Sequence, residues 1–593
     1  MKNGYLGLPE GIEDFEELIN SNFKYVDKTS YLETLLGSGK AVTLFLRPRR
    51  FGKTLSMSMI ASFLEMNYLD PEDRSRQEKL FHNLAVYDNK KLCDEYMGRY
   101  PVVSITLKEV DGIDFIYAMK SLLQQLRDLY ERYRFLLDSP KQPKEVKQAL
   151  QEKIEICSVE KFSLTNEINL RTAVDVARDS LNFLCNALFR EYSQKVYVLI
   201  DEYDVPLQKA SVNGYYDKML MVIRGMMGKA LKTNSSMKRG LVTGCLRIAH
   251  QSIFTGLNNF STSDLNDNLY AGFMGFTRDE TVKLLKEYGL EKKLPDVMEW
   301  YDGYNFAGND MLCPWSLMKY ISSTINSADP RSFSPQCFWN NSSGNDIIEL
   351  CMKHPDSNDS ERLQNLIDGN TEEIEPSEFT TYPEITTHTD FETFITMMLH
   401  TGYFTTVKNV KPKEPGNIVV KIPNKEVLEC FRLKRNYLFG RKNSEWVEQA
   451  YKLRDALFDG KSEEVQDIIN NMLMTFISFR DSSNESYYHG FMTGVLGLVK
   501  SEGVSFSSNK ESGNGYSDII LRRVKDKKGV ILEFKKSEDD RFVTLDNVCD
   551  KALEQIQTNN YDFHLKQDHF KEILKYGIAF TGKYCQVKKA DIE

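Results

Sequence analysis

The chain has 593 residues, 41% of them hydrophobic, and carries 76 Lys and Arg against 85 Asp and Glu for a formal net charge of −9. A composition this near the globular average excludes collagen-like, low-complexity and wholly disordered classes, and the length predicts about three or four folded units. The longest apolar stretches, Ala41–Leu46 and Gly490–Val499, are shorter than the ~18–20 residues that cross a bilayer, so no membrane partner is expected. The N-terminal stretch lacks the apolar core of a secretory signal. Ten cysteines without a CxxC pair argue against a zinc ribbon or disulfide framework and favour a reducing, cytoplasmic setting.

From residue 41 to about 260, apolar runs alternate with helical periodicity. The expected order is strand Ala41–Leu46, a helix from about Thr54, strand Val102–Leu107, helices over about 113–135, 143–157 and 168–192, strand Val196–Ile200, a helix over 216–232 and strand Gly240–Cys245. Such alternation predicts an α/β fold with a mostly parallel sheet covered by helices on both faces. Between about 276 and 460 the pattern turns largely helical, with the aromatic-rich run Trp300–Phe306 and a polar stretch at 354–392 read as loop. From about 461 a helix-rich lead-in precedes strands Ser517–Val524 and Gly529–Lys535, a helix over 544–560 and a last strand Tyr576–Thr581. The expected domain bounds are 1–275, an α/β domain; 276–460, a largely helical region; and 461–593, a small α/β domain.

The first motif follows the first strand. Arg47-Pro-Arg-Arg-Phe-Gly-Lys-Thr54 turns into a helix, the context in which backbone N–H groups and a helix N-terminus face phosphates. Lys53 would reach the β/γ-phosphates of ATP and Thr54 a magnesium ion. The departure is Arg47, which stands where GxxxxGK[ST] has its first glycine. The second motif is Val196-Tyr-Val-Leu-Ile-Asp-Glu202, an apolar strand ending in two carboxylates, the form of a Walker B motif. Asp201 would hold the magnesium through water and Glu202 would polarise the attacking water. A chance Gly-Lys-Thr explains the first motif, and acidic capping of a turn explains the second. Neither explains the pair. The candidate nucleotide-binding residues are Arg49, Arg50, Phe51, Gly52, Lys53, Thr54 and Leu55. Thr243, near the end of another apolar strand, is a candidate γ-phosphate sensor, and Arg247 a second sensor or a finger acting in trans, or an ordinary cap or ion-pair arginine.

Positive charge is clustered in two places, at Arg47, Arg49, Arg50 and Lys53 and again at Arg522, Arg523, Lys525, Lys527, Lys528, Lys535 and Lys536. Clusters of this kind hold phosphate even on an acidic protein; solvated surface lysines are the plain alternative for the second.

The third constellation is Asp518 followed by Glu533-Phe-Lys535. At the strand period of two, Ile531, Glu533 and Lys535 share one face and Val530, Leu532 and Phe534 the other. A hairpin return would bring Asp518 beside Glu533, and two adjacent carboxylates repel unless a cation such as Mg²⁺ or Mn²⁺ bridges them. Lys535 would steady the charge that develops on a phosphodiester under attack. Glu485, opening a helix, would complete the metal site, with His489 or Tyr488 near the scissile phosphate, and Gln555 on the later helix would face the strands. A solvated Glu–Lys pair on an edge strand is the plain alternative.

These stretches resemble the family of bacterial proteins with an N-terminal AAA-ATPase-like domain and a C-terminal PD-(D/E)XK nuclease-superfamily domain. The resemblance is carried by Tyr25-Val-Asp-Lys-Thr29, Arg47-Pro-Arg-Arg-Phe-Gly-Lys-Thr54, Leu199-Ile-Asp-Glu-Tyr-Asp204, Gly244-Cys-Leu-Arg-Ile248, Phe254-Thr-Gly-Leu-Asn-Asn259, Tyr301-Asp-Gly-Tyr304, Thr401-Gly-Tyr403, Asp518, Glu533-Phe-Lys535 and Gln555. It implies an AAA-ATPase-like P-loop domain over 1–275, a helical lid and linker over 276–460 and a restriction-endonuclease-like PD-(D/E)XK domain over 461–593, and it implies that Arg47 is how this family writes its P-loop. The leading expectation is an ATPase whose nucleotide state gates a metal-dependent nuclease acting on DNA or RNA, in defence against mobile DNA, with assembly into a homo-oligomer left open. The alternative is an ATP-dependent regulatory or interaction protein whose nuclease-like domain binds without cutting.

Overall fold

The computed structural model describes residues 7–158, 164–232, 234–246, 260–327, 330–339, 362–363, 365–377, 390–431, 444–476, 485–497, 504–512, 515–537 and 545–590. The chain divides into two compact units, Met1–Phe431 and Arg432–Glu593. Among the described residues no helix is long and apolar enough to cross a membrane.

In the first unit, strands β1 (Val42–Leu46), β2 (Val102–Thr106), β3 (Val196–Asp201), β4 (Met237–Gly244) and β5 (Phe260–Ser263) form one sheet in the order β2-β3-β4-β1-β5, with every pairing parallel. The strands read as unbroken apolar runs because both faces are covered. Leu44, Val198, Ile200 and Val242 pack on one side with Leu122, Leu126, Leu184 and Met226, while Phe45, Tyr197, Leu199 and Leu241 pack on the other with Met59, Ile60 and Phe63. The helices assemble for local reasons. Phe115–Arg132 starts where the Asp114 carboxylate accepts from Tyr117 N, and its buried residues Met119, Leu122, Leu123, Leu126 and Tyr130 recur at helical spacing. The strand order seats β4 between β1 and β3, with Phe45 opposite Thr243 and Val242 opposite Ile200. The residues that follow these three parallel strands therefore meet at the carboxyl end of the sheet, the place where open α/β sheets bind ligands.

The region after residue 275 is less helical than its sequence suggests. Strands β6 (Phe276–Thr277), β7 (Tyr304–Phe306) and β8 (Asn309–Leu312) form one antiparallel sheet; β9 (Glu372–Ile374), β10 (Thr405–Thr406) and β11 (Ile418–Lys421) form another. The β7–β8 hairpin turns at Ala307 (φ 47°) and Gly308 (φ 86°), the two left-handed positions of a type I′ turn. Alanine at the first of these hides the turn from a reading by Asn-Gly signals. Part of the polar stretch at 354–392 lies outside the described residues; β9 falls within the described part.

The second unit holds a mixed sheet in the order β12 (Val504–Ser512), β13 (Gly515–Arg523), β14 (Lys528–Lys536), β15 (Glu572–Thr581) and β16 (Tyr584–Lys589). Only β14 and β15 pair in parallel, and the crossover between them carries helix Leu545–Thr558. One face of the sheet, with Ile519, Leu532 and Phe534, packs on Leu457, Ile469, Tyr488 and Met492. The other face, with Ile520 and Ile531, packs on Ile556, Tyr561 and Leu565. At Gly577 a Cβ atom would lie 2.3 Å from Cys549 O, so a residue without a side chain lets the crossover helix lie directly on β15. The edge strands β12 and β16 are not among the predicted elements; polar runs such as Ser505-Phe-Ser-Ser-Asn-Lys510 lack a clean apolar alternation, as edge strands often do.

Candidate functional sites

At the first site Gly52, at φ 83°, turns the chain into helix Lys53–Leu64, and Arg50 at φ 68° is a second left-handed residue in the same loop. The Lys53 side chain is 2% exposed and its Nζ lies 3.3 Å from Glu202 Oε1, 3.3 Å from Arg47 O, 3.2 Å from Pro48 O and 3.3 Å from Cys245 Sγ. Burial opposes its charge, but Cys245 and the Glu202 and Asp204 carboxylates outweigh burial and hold its pKa above the ordinary lysine value. Thr54 Oγ1 donates to Asp201 Oδ2 at 2.8 Å. Thr106 Oγ1, at the end of β2, donates to the same oxygen at 3.3 Å, and Thr243 Oγ1 donates to Asp201 Oδ1. Thr243 Oγ1 also accepts from Glu202 N at 3.2 Å, and Glu202 itself holds φ 54°. One hydroxyl thus ties the end of β4 to both acidic residues. Burial, and then the charge of Glu202, raises the pKa of Asp201; the same two causes push Asp204 up to about 6.

The remaining residues of the loop take structural partners. Arg49 Nη2 donates to Gln208 Oε1 at 2.5 Å. Arg50 donates to Phe338 O at 3.3 Å and lies over the rings of Trp315 and Trp339. Phe51 is fully buried against Tyr304 and Phe306, with ring centroids 5.0 and 5.1 Å away. Leu55 is half-buried and packs on the core beneath the helix. Arg247 lies outside the described residues.

Arg47 is 1% exposed, and its guanidinium donates to Leu46 O, Ser263 O, Asp264 O and Tyr270 O at 2.7–3.0 Å. It ties the P-loop to the chain that follows β5. The side chain that stands where a glycine is the rule is taken up by the end of the neighbouring strand β5 and the segment after it.

In the second unit Glu533 is 2% exposed and its Oε2 has no hydrogen-bond partner. Its other oxygen lies 3.5 Å from Lys535 Nζ. Asp518 Oδ2 accepts from Phe534 N at 2.7 Å, which locks that carboxylate against the strand that carries Glu533. Burial first, and then the Asp518 charge, pushes Glu533 up to about 7, against the opposing pull of Lys535. His489 Nε2 touches the Asp518 main-chain oxygen at 3.3 Å, and its ring faces Phe534, on the sheet face opposite Glu533. Tyr488 is core: its ring stacks on Phe580 at 4.4 Å and its hydroxyl donates to Gly582 O at 2.7 Å. Gln555 Nε2 donates to Tyr561 OH at 3.2 Å, on the helix that covers the Glu533 face. Glu485 opens helix Glu485–Gly497, but its side chain lies outside the described residues.

The second basic cluster is partly neutralised. Arg523 pairs with Asp526 at 2.6 Å and Lys528 with Glu572 at 2.8 Å, while Lys527 lies over the Phe570 ring. These groups sit at the turn joining β13 to β14, at the other end of those strands from Asp518 and Glu533.

Two family models match the chain: one described as a predicted AAA-ATPase over residues 9–254, and one of the PD-(D/E)XK nuclease superfamily over residues 483–590. The chain joins an AAA-ATPase-like domain to a PD-(D/E)XK nuclease-superfamily domain. It is 23% identical over 317 residues to a protein of Azotobacter chroococcum mcd 1 described as an uncharacterized protein in the vnfD 5′ region. That similarity covers 52% of this chain and 51% of the relative, so the chain spans about half the length of the curated protein it matches. No solved structure matches.

In the AAA-ATPase-like domain the donors suit a nucleotide with magnesium: a lysine ammonium, a threonine hydroxyl and two carboxylates, converging after β1, β3 and β4. In the nuclease-superfamily domain a buried carboxylate oxygen without a partner, beside a second carboxylate, suits a hard divalent cation. Among the described residues no group of three or more His, Cys, Asp and Glu side chains is arranged to hold a metal. Thr106 and Cys245 belong to the first site although the motif reading passed over them. The available signal was position alone, since each follows or ends an apolar strand of the parallel sheet.

Proposed function

We propose that the AAA-ATPase-like domain binds and hydrolyses ATP and that its nucleotide state gates a metal-dependent phosphodiesterase in the PD-(D/E)XK domain, acting on DNA or RNA. The observation that carries the reading is the Thr54–Asp201 hydrogen bond of 2.8 Å. It joins the residue after the P-loop lysine to the carboxylate at the end of β3, the two groups that would share a hydrated magnesium. Thr54 and Asp201 would hold the magnesium, which would supply charge neutralisation to the nucleotide's phosphates. Lys53 would hold the γ-phosphate, Glu202 would accept a proton from the attacking water, and Thr243 would keep Asp201 and Glu202 in register.

In the second domain Asp518 and Glu533 would hold Mg²⁺ or Mn²⁺, which supplies Lewis-acid polarisation of the scissile phosphate. Lys535, half a charge-pair with Glu533, would offset the negative charge that builds on the phosphate oxygens. Defence against mobile DNA is a role such a nucleotide-gated nuclease would serve. The test is to incubate the purified chain with linear and circular DNA and RNA, with and without Mg²⁺, Mn²⁺ and ATP. Metal-dependent cutting that changes with ATP is the expected result. Nucleic-acid binding without cutting under every condition would replace the nuclease with a binding module.

A further inference from the structure

Tyr203 and Asp204 follow Glu202 directly and fasten the chain that leaves β4. Tyr203 N donates to Thr243 O at 3.1 Å, and the Tyr203 hydroxyl donates to Leu246 O at 2.6 Å. Asp204 Oδ2 accepts from both Cys245 N at 2.9 Å and Leu246 N at 3.0 Å. Gly244 makes room for this contact: a Cβ there would lie 2.5 Å from the Tyr203 ring and 2.8 Å from Asp204 Oδ1.

Asp204 occupies the N-cap position of helix Val205–Val212, where an aspartate ordinarily accepts from the first helical amides, yet it makes no such bond. It is 3% exposed, and its Oδ1 has no partner. A buried carboxylate with one oxygen unsatisfied is unfavourable, so neither capping nor packing accounts for it. What its other oxygen holds is the segment whose Thr243 bonds Asp201 and Glu202 and whose Cys245 Sγ touches Lys53.

We propose that Asp204 is a positioning residue for ATP hydrolysis: it clamps Cys245 and Leu246 to the exit of β3 and so keeps Thr243 set against Asp201 and Glu202. This rests on the ATPase reading above, and its test separates the two. Full-length wild type, Asp204→Ala, Asp204→Asn and Tyr203→Phe are compared for ATP affinity, for kcat and KM, and for hydrogen exchange at the Cys245 and Leu246 amides.

Asp204→Ala should expose both amides to exchange and lower kcat by ~10²-fold, the cost of misplacing a reacting group by about 1 Å, with ATP affinity changed only a few-fold. Asp204→Asn keeps an oxygen for the two amides and should restore protection and most of kcat. Tyr203→Phe, which deletes one bond of the clamp, should lower kcat less. Asp204→Asn as slow as Asp204→Ala with both amides still protected would overturn the clamp in favour of a role for the charge; an Asp204→Ala chain with protected amides and full turnover would overturn any role of Asp204 in hydrolysis. Should Asp204→Ala fail to fold, the Asn and Phe variants decide between the same outcomes. If wild type binds ATP and never hydrolyses it, the ATPase reading falls, and the clamp stands or falls on amide exchange alone.

Discussion

Lys53 Nζ and Glu202 Oε1 lie 3.3 Å apart, an ion pair between the first residue of the helix after β1 and the residue directly after β3. The lysine is buried and the glutamate side chain is 15% exposed, so solvent reaches the pair from the carboxylate side. In the proposed reaction one group serves the phosphate and the other the water, and their contributions separate by deleting each. Lys53→Ala should weaken ATP binding about tenfold to a hundredfold, since a charge-assisted phosphate contact contributes ~1.5–3 kcal/mol. Calorimetric titration of the folded variant checks this, and unchanged affinity removes Lys53 from the site.

Glu202→Gln should behave in the opposite way. The amide keeps the shape and the Thr243 contact of the backbone but cannot accept the water's proton, so turnover should fall by ~10²–10⁴-fold. ATP affinity should hold or rise, because Lys53 is released from its carboxylate partner. Steady-state hydrolysis and equilibrium binding on one preparation measure both effects; full turnover would leave Glu202 as a structural cap.

Much of the first site was legible because its elements are local. A strand, a Gly-Lys-Thr and a helix adjoin in sequence, and an apolar strand ending in Asp-Glu declares itself. What periodicity could not show is the strand order that inserts β4 between β1 and β3, and so the convergence of Thr106, Thr243 and Cys245 on Asp201 and Lys53. Such convergence depends on crossovers far apart in the chain. Tyr488 shows the limit in the second unit. Helical spacing puts it on one face with His489, but the helix face that spacing selects turned out to pack on Phe580 and Phe534, the apolar side of the sheet. The polar edge strands β12 and β16 escaped for the related reason that their pairing, not their pattern, makes them strands.

Arg47 supports a prediction that runs against motif logic. Arg47→Gly would restore the commoner P-loop glycine, yet the carbonyls of Leu46, Ser263, Asp264 and Tyr270 would lose a shared donor inside the protein. Hydrogen bonds to a charged donor contribute ~1.5–3 kcal/mol each, and stranded buried acceptors add to the loss. The variant should therefore be destabilised by at least ~3 kcal/mol, read as a lower midpoint in urea unfolding. A neutral or stabilising outcome would mean that the guanidinium has no structural role.

The last prediction concerns the pair Asp518 and Glu533. Burial and the Asp518 charge raise the Glu533 carboxyl from 4.5 to about 7, so the folded chain holds a proton there that the unfolded chain releases. The stability this group lends is fully present below about pH 4.5 and is lost as pH rises through about 7. A divalent cation needs the ionised form and would reverse that loss. Mn²⁺ should therefore raise the melting temperature more at pH 8 than at pH 6, and Glu533→Gln should abolish the increment while making the metal-free chain more stable at pH 8. Lys535→Ala should keep the Mn²⁺ increment and lose phosphodiester cleavage, because the lysine serves developing charge and not the metal. Asp518→Asn should lose both. Melting scans with and without Mn²⁺ at the two pH values, beside a cleavage assay on the same variants, decide the matter. A Mn²⁺ increment that is equal at pH 6 and pH 8 and survives Glu533→Gln would place the metal elsewhere in the protein.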